Sequence, residues 1–425
     1  MRLLLKNGTV VNPASASGKF DILIEDGRIF ALDSGLSSSF VDIDEEIDIS
    51  NLMVAPGLVD VHVHFRDPGQ THKEDISTGV EAAKHGGFTT VVMMANTNPP
   101  IDNVETLQYV LEKGAQTDIN VLACANVTRG MAGKELTEME ALVRAGAVGF
   151  TDDGKPITDQ NLLEKAMYQV AKLGVPISLH EEDPLHIGTS GYNRGKASEF
   201  FGISGAAGEA EYTLIARDIE LARKTGARVV IQHISTREGV LMVRSAQAMG
   251  IDIHAEATPH HFSLTEQDAI THNVMAKMNP PLRTEEDRQM ILKGLQTRTI
   301  DMIATDHAPH TSEEKAKGLT EAPSGIIGLE TSLGLGITNL VKPGILTIEQ
   351  LITRMSVGPA EVYGLEAGVI APGRQADLVI FDPEETWVVS ETFASKAKNS
   401  PFIGRELTGK VKYTICKGRV VYTDM

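Results

Sequence analysis

The chain has 425 residues, 42% hydrophobic and 23% charged, with a formal net charge of −18 at pH 7. That acidity excludes nucleic acid and anionic membrane as partners, because both repel a negative surface. Two cysteines, Cys124 and Cys416, exclude a disulfide framework and a thiolate metal cluster.

The opening MRLLLKNGTVVN reaches Lys6, Asn7 and Gly8 too soon for a signal peptide. No stretch approaches the ~18 apolar residues of a membrane span. A reducing, cytoplasmic setting is expected. Residues 1–55 then alternate in strand fashion, and Asn7-Gly8 and Asp26-Gly27 carry hairpin signals. The segment 367–425 repeats the style in GRQADLVIFDPEETWVV and GKVKYTICKGRVVYTDM. The two ends predict one composite β-sandwich domain.

Residues 56–366 have another rhythm. Short β-branched runs cover 58–65, 89–96, 119–127, 147–153, 176–182, 228–235, 252–261 and 300–309. Helical segments such as NLLEKAMYQVAKLG and EAEYTLIARDIELARKTG separate them, ending in Gly as helices do. Eight strands alternating with helices predict an α/β fold, a (β/α)8 TIM barrel. The two long connections, 183–208 and 311–330, are expected to cover its mouth.

Nearly every run ends in polar groups: His62 and His64, Asn96, Asn126, Asp152 and Asp153, His180, His233, His260 and His261, then Asp306, His307 and His310. Barrel enzymes place chemistry at the C-terminal strand ends. Residues i and i+2 share a strand face, so His62 and His64 can grip one ion. Four imidazoles and two carboxylates would be costly to bury without a compensating charge. Six N and O donors without thiolate suit two divalent ions, with zinc expected and Mn²⁺, Co²⁺ or Fe²⁺ compatible. A carboxylate from GFTDDG can bridge them, and spacing alone leaves Asp152 and Asp153 both open.

These pieces resemble the type I dihydroorotases, cyclic amidohydrolases of the amidohydrolase superfamily. The similarity runs through APGLVDVHVHFRDPG, TTVVMMANTNPP, GAVGFTDDG, ISLHEE, VVIQHIST, TPHHF, MNPPLR and IATDHAPH, so it spans nearly the whole chain. HVHFRDPG with TDHAPH is its specific part. The resemblance implies His62, His64 and Asp306 on one metal, His180 and His233 on the other, and Asp153 as the bridge. An aspartate there replaces the carbamylated lysine of many relatives. It further implies Asp306 as general acid/base acting on a metal-bridging hydroxide. Arg66, Asn96 and His310 would hold the substrate carboxylate, and Asn279 the pyrimidine ring. His64 and the backbone of Ser324 and Gly325 would also touch substrate. Many relatives carry Phe where APSG has Ser324, so the apolar cover over the ring is altered here. His307 is expected to be a packed structural residue, and His260 and His261 receive no ligand role. His72, His85, His186, His254 and His272 are expected at the surface or on helices.

The activity implied is reversible cyclisation of N-carbamoyl-L-aspartate to (S)-dihydroorotate and water, in de novo pyrimidine (UMP) biosynthesis. The competing readings are an allantoinase or dihydropyrimidinase, and a non-catalytic dihydroorotase-like subunit of aspartate carbamoyltransferase. A homodimer and a partnership with aspartate carbamoyltransferase are both compatible with the resemblance.

Overall fold

Strand-forming alternation at both ends of the chain produces a single sheet. The computed structural model describes residues 1–12, 14–36 and 42–424. The N-terminal strands are β1 (Arg2–Val10), β2 (Gly18–Glu25), β3 (Arg28–Asp33), β4 (Glu45–Asp48) and β5 (Met53–Pro56). The middle supplies β6 (Leu58–Val63), β7 (Phe88–Met93), β8 (Asn120–Ala123), β9 (Ile177–Leu179), β10 (Val229–Ile231), β11 (Ile253–Ala257) and β12 (Met302–Ile303). The last three are β13 (Leu378–Val388), β14 (Glu406–Cys416) and β15 (Arg419–Thr423).

The terminal strands form an eight-stranded sheet in the order β15-β14-β13-β5-β1-β2-β3, with β4 against β1. Its seam is the antiparallel pairing of Met53–Pro56 with residues 378–381. Leu3 and Leu5 pack with Ile22, Ile24, Leu378 and Ile380, while Leu4 meets Leu23 and Leu36. Both faces of β1 are therefore covered, which explains its unbroken apolar run. Asp26 and Gly27, at φ +48° and +81°, make the expected hairpin between β2 and β3. Asn7-Gly8 does not turn the chain. It is a bulge inside β1, where the register slips between Leu5 and Gly8. A Cβ at Gly8 would lie 2.5 Å from Ile49 Cδ1, so the residue is chosen for close packing.

Asn12 ties the two ends together. Fully buried, it donates from Nδ2 to the Ile370 carbonyl at 2.7 Å and accepts from the Ile370 N–H at 3.3 Å. Asn12→Ala strands both backbone groups and is expected to cost about 3 kcal/mol, read as a shift in the urea midpoint.

In the middle, β6-β7-β8 and β9-β10-β11-β12 are two parallel sheets. Residues 147–153, expected as a strand, form no ladder. Phe150 alone bridges Ala125 on one side and Ile177 on the other. The second junction is the parallel bridge of Val63 to His307, with the His64 N–H on the His307 carbonyl at 2.9 Å. The helices between them are capped at their N-termini: Asp75 closes a capping box on Ile76–His85, and Asp159 caps Gln160–Leu173.

The run 252–261 is only partly a strand. Beyond Ala257 the chain enters the helix Pro259–Ser263, with Thr258 as N-cap and Pro259 in its first turn. His260 and His261 thus lie on a helix rather than at a strand end. His254, expected at the surface or on a helix, sits half-buried in β11 between Asp252 and Asp301 at 3.0 and 3.1 Å.

Candidate metal and substrate site

The strand ends converge where their hydrogen-bond ladders stop. The β6–β7 register slips between Asp60 and Val63, a bulge at the His62 position. Asp60, fully buried, accepts from the His62 N–H at 3.0 Å and from the Thr305 hydroxyl at 2.6 Å, locking β6 to the end of β12. Arg66, His233 and Asp306 have φ of +57°, +32° and +48°. Left-handed backbone at these positions ends each strand and turns its side chain into the cleft.

Six side chains meet there. His62 Nε2 lies 3.7 Å from Asp153 Oδ1 and 3.5 Å from Asp306 Oδ1. His64 Nε2 lies 2.9 Å from Asp306 Oδ1 and 3.4 Å from Asp153 Oδ2. Asp153 Oδ1 also faces His180 Nδ1 at 3.4 Å and His233 Nε2 at 3.6 Å. Two triads have donor atoms within 4.8 Å of one another: His62, His64 and Asp153, and Asp153, His180 and His233. Asp153 belongs to both. Asp152 faces away, accepting from the Val127 N–H at 2.9 Å, from Asn126 Nδ2 at 3.2 Å and from the Thr128 hydroxyl.

The donor chemistry fits divalent cations. The outer nitrogen of three imidazoles is already engaged: His62 Nδ1 with Glu256 at 2.9 Å, His64 Nδ1 with Asn96 Oδ1 at 2.9 Å, and His180 Nε2 with Glu182 at 2.9 Å. Donation outward leaves a lone pair pointing inward, the arrangement metal-binding imidazoles adopt. His62 Nε2 is buried with no hydrogen-bond partner. Burial would lift the Asp153 carboxyl, but His62, His180 and His233 hold it well below its ordinary range. Burial disfavours a charged His180, yet Asp153 and Glu182 push its pKa up to about 10. Imidazole binds a cation in its unprotonated form, so a cation entering the cluster would displace a proton held on His180.

Glu256 escapes any motif, whereas Glu182 closes ISLHEE without a role of its own assigned. Glu256, 1% exposed within the apolar strand IHAEA, is legible only as a buried charge awaiting a partner. Glu182 follows His180 at the spacing of one strand face.

A cleft of about 210 Å³ opens beside the cluster and is lined by all the other expected site residues: Arg66, Asn96, Asn279, His310, Ser324 and Gly325. Arg66 reaches it from a left-handed turn rather than a continuing strand, and its buried Nε has no partner. Burial lowers the Arg66 pKa, against the pull of Asp306 and Asp153. Asn96 donates to Asp153 Oδ2 at 3.1 Å while accepting from His64, so it joins clamp and cluster. Asn279 holds Ser190 Oγ at 2.7 Å through Nδ2 and 2.9 Å through Oδ1. His310 Nε2 donates to the Ser324 carbonyl at 2.8 Å, leaving the buried Nδ1 without a partner. Burial, then the Arg66 charge, drives the His310 pKa down to about 2. The main chain of Gly325 is engaged: its N–H meets the Lys277 carbonyl at 2.9 Å, and its carbonyl accepts from Asn399 and Lys315. Gly325 thus meets the cleft as a surface and not as a free donor.

Of the remaining imidazoles, His307 packs edge-on against Phe65 with Nδ1 on the Gly328 N–H, as a structural residue would. His261 is spent on Thr258 and the Pro280 carbonyl. His260 belongs to neither triad.

Comparison with known proteins supplies the family. A family model described as Dihydro-orotase-like matches residues 51–239, and one described as Amidohydrolase family matches 328–422. A dihydroorotase of Clostridioides difficile is 53% identical over 421 residues, 99% of each chain. One of Streptococcus pneumoniae is 51% identical over 422 residues, again 99% of each. Among solved structures, the L-hydantoinase (dihydropyrimidinase) of Arthrobacter aurescens superposes with a TM-score of 0.88 at 28% identity, over 99% of this chain and 96% of that one. With half its residues shared along the full length of such relatives, this chain belongs to the dihydroorotase family of cyclic amidohydrolases.

Proposed function

We propose that the protein interconverts N-carbamoyl-L-aspartate and (S)-dihydroorotate, in a (β/α)8 barrel spanning 56–366. The two termini, 1–55 and 367–425, join in its composite β-domain, built on one sheet where a sandwich was expected, and the setting is cytoplasmic. The observation that carries this reading is half-buried Arg66, whose buried Nε has no hydrogen-bond partner, in the same cleft as a six-donor cluster. A partly desolvated guanidinium with a donor unspent is open to an anion, and an arginine fork matches a carboxylate with two parallel bonds.

His62, His64 and Asp306 would hold one divalent cation, His180 and His233 another, with Asp153 between them; N and O donors without thiolate suit zinc. Such a pair, when bound, lowers the pKa of water and polarises the ring carbonyl. The remaining steps belong to the chain itself. Asp306 stays ionised because His64 and His62 outweigh its burial. It takes the proton of the attacking water and delivers it to the ring nitrogen as the C–N bond breaks. In cyclisation the same carboxyl withdraws that proton. Arg66 and Asn96 fix the substrate carboxylate, with His310 at its other side, Asn279 faces the ring, and Ser324 and Gly325 form the wall. Held in this way, the reacting carbonyl has no orientation to search for.

Arg66→Met should raise KM for dihydroorotate by about 10- to 100-fold with a smaller change in kcat, the span of a lost charge-assisted hydrogen bond. An unaltered KM would remove Arg66 from the clamp. The function itself is tested by steady-state turnover of dihydroorotate, allantoin, dihydrouracil and a 5-substituted hydantoin. Dihydroorotate is expected to be the preferred substrate by kcat/KM. Turnover of only the other three would move the chain to the hydantoinase side, where its structural neighbour lies.

A further inference from the structure

The floor of the substrate cleft is held from outside the middle segment. Asn399 belongs to the C-terminal part of the chain, on an irregular stretch between β13 and β14, and is 2% exposed. Its Oδ1 accepts from the His310 N–H at 3.2 Å. Its Nδ2 donates to the Ala308 carbonyl at 3.0 Å and to the Gly325 carbonyl at 3.0 Å. One amide therefore spends both hydrogens and an acceptor on the two segments that present His310 and Gly325 to the cleft. Its own carbonyl accepts from the Ile327 N–H at 3.1 Å, fastening the second segment again.

Two carboxylates, half-buried Glu330 and buried Glu74, pin the stretch that carries Asn399. Glu330 accepts the N–H groups of Ala394 at 2.9 Å and Ser395 at 3.2 Å. Glu74 accepts the Lys396 N–H at 3.2 Å and the Ser395 hydroxyl. Lys396 Nζ reaches the Thr71 carbonyl at 2.9 Å. A residue anchored this firmly makes a rigid support. The amide is also chemically selected: a carboxylate would set negative oxygens against two carbonyls, and an apolar side chain would leave the His310 N–H and the Ala308 carbonyl unpaired and the Gly325 carbonyl with Lys315 alone.

We infer that Asn399 is a positioning residue for substrate, setting the distance between His310 and the Gly325 wall and so governing substrate affinity rather than bond breaking. This deepens the proposed function and rests on its assignment of His310 and Gly325 to the substrate. Asn399 touches none of the six clustered donors, so metal content and proton transfer should be spared.

The test combines kinetics with hydrogen exchange on the full-length, metal-loaded protein. Asn399→Leu and Asn399→Asp should raise KM for dihydroorotate at least tenfold with kcat and metal content within threefold of wild type. The amides of 308–310 and 325–327 should exchange at least tenfold faster. A KM that stays put, a fall in kcat alone, or unchanged exchange overturns the inference. If neither variant folds, Asn399→Ser, which keeps a hydroxyl donor, must give the same pattern at smaller amplitude. Wild-type inactivity on dihydroorotate would refute the functional reading, whereas the exchange result involves no substrate and still decides whether Asn399 holds the segments of His310 and Gly325 in place.

Discussion

Asp306→Asn is expected to lower kcat for dihydroorotate by about 10²- to 10⁴-fold while moving KM only a few-fold, the usual reach of a lost general acid/base. The substitution keeps shape and an oxygen for His64 Nε2, which lies 2.9 Å from Oδ1. It removes the one property that proton transfer needs, a carboxyl able to gain and lose a proton near the ring nitrogen. The left-handed backbone at 306 suits Asn as well as Asp, so the fold is not put at risk. Metal analysis of the same sample separates the two duties of the residue. A variant with wild-type metal content and more than about a tenth of wild-type kcat would end the assignment.

His180→Ala and His233→Ala should each lower turnover and metal loading together. Both rings face Asp153 Oδ1, at 3.4 and 3.6 Å, and each other at 3.0 Å. Removing either leaves a two-donor remnant around a carboxylate. Replacing mere outer supports of metal-binding imidazoles costs about 10- to 100-fold, so loss of a ligand should exceed that. Elemental analysis should find close to one metal equivalent missing per chain, with activity at least about 10²-fold down. Full metal content in either variant would contradict the site. Glu256→Gln, which only weakens the hold on His62 Nδ1, should give the milder 10- to 100-fold loss of affinity.

How legible was this in the sequence? The alternation of β-branched runs with capped helices announced the parallel strands, because buried strands must be apolar and helices must be amphipathic. The strand ends were read too long. At 300–309 only Met302–Ile303 keeps a ladder, since Asp306 takes a left-handed backbone to aim its carboxyl. Asn7-Gly8 shows the limit of local signals: the same dipeptide serves a hairpin or a bulge, and Ile49 across the sheet decides which. Thr258-Pro259 starts a helix inside the run 252–261, which was read as strand throughout.

The clustered donors stood out because histidine and aspartate at apolar strand ends are expensive without a shared cation. Asp153 could be separated from Asp152 only in three dimensions, where Thr128 and the Val127 N–H claim the latter. Glu256 and Asn399 were invisible for a different reason. Each is a lone polar residue whose partner lies far along the chain, 194 positions for Glu256 with His62 and 89 for Asn399 with His310.

The seam between Met53–Pro56 and residues 378–381 also dictates a timetable for biosynthesis. The earlier strand leaves the ribosome more than three hundred residues before its neighbour exists. At about 5–20 residues per second it waits on the order of 15–60 s with one flank bare. Unsatisfied strand flanks recruit other chains. Nascent polypeptide interrupted before residue 378 should therefore be the species that chaperones retain and that aggregates when they are scarce.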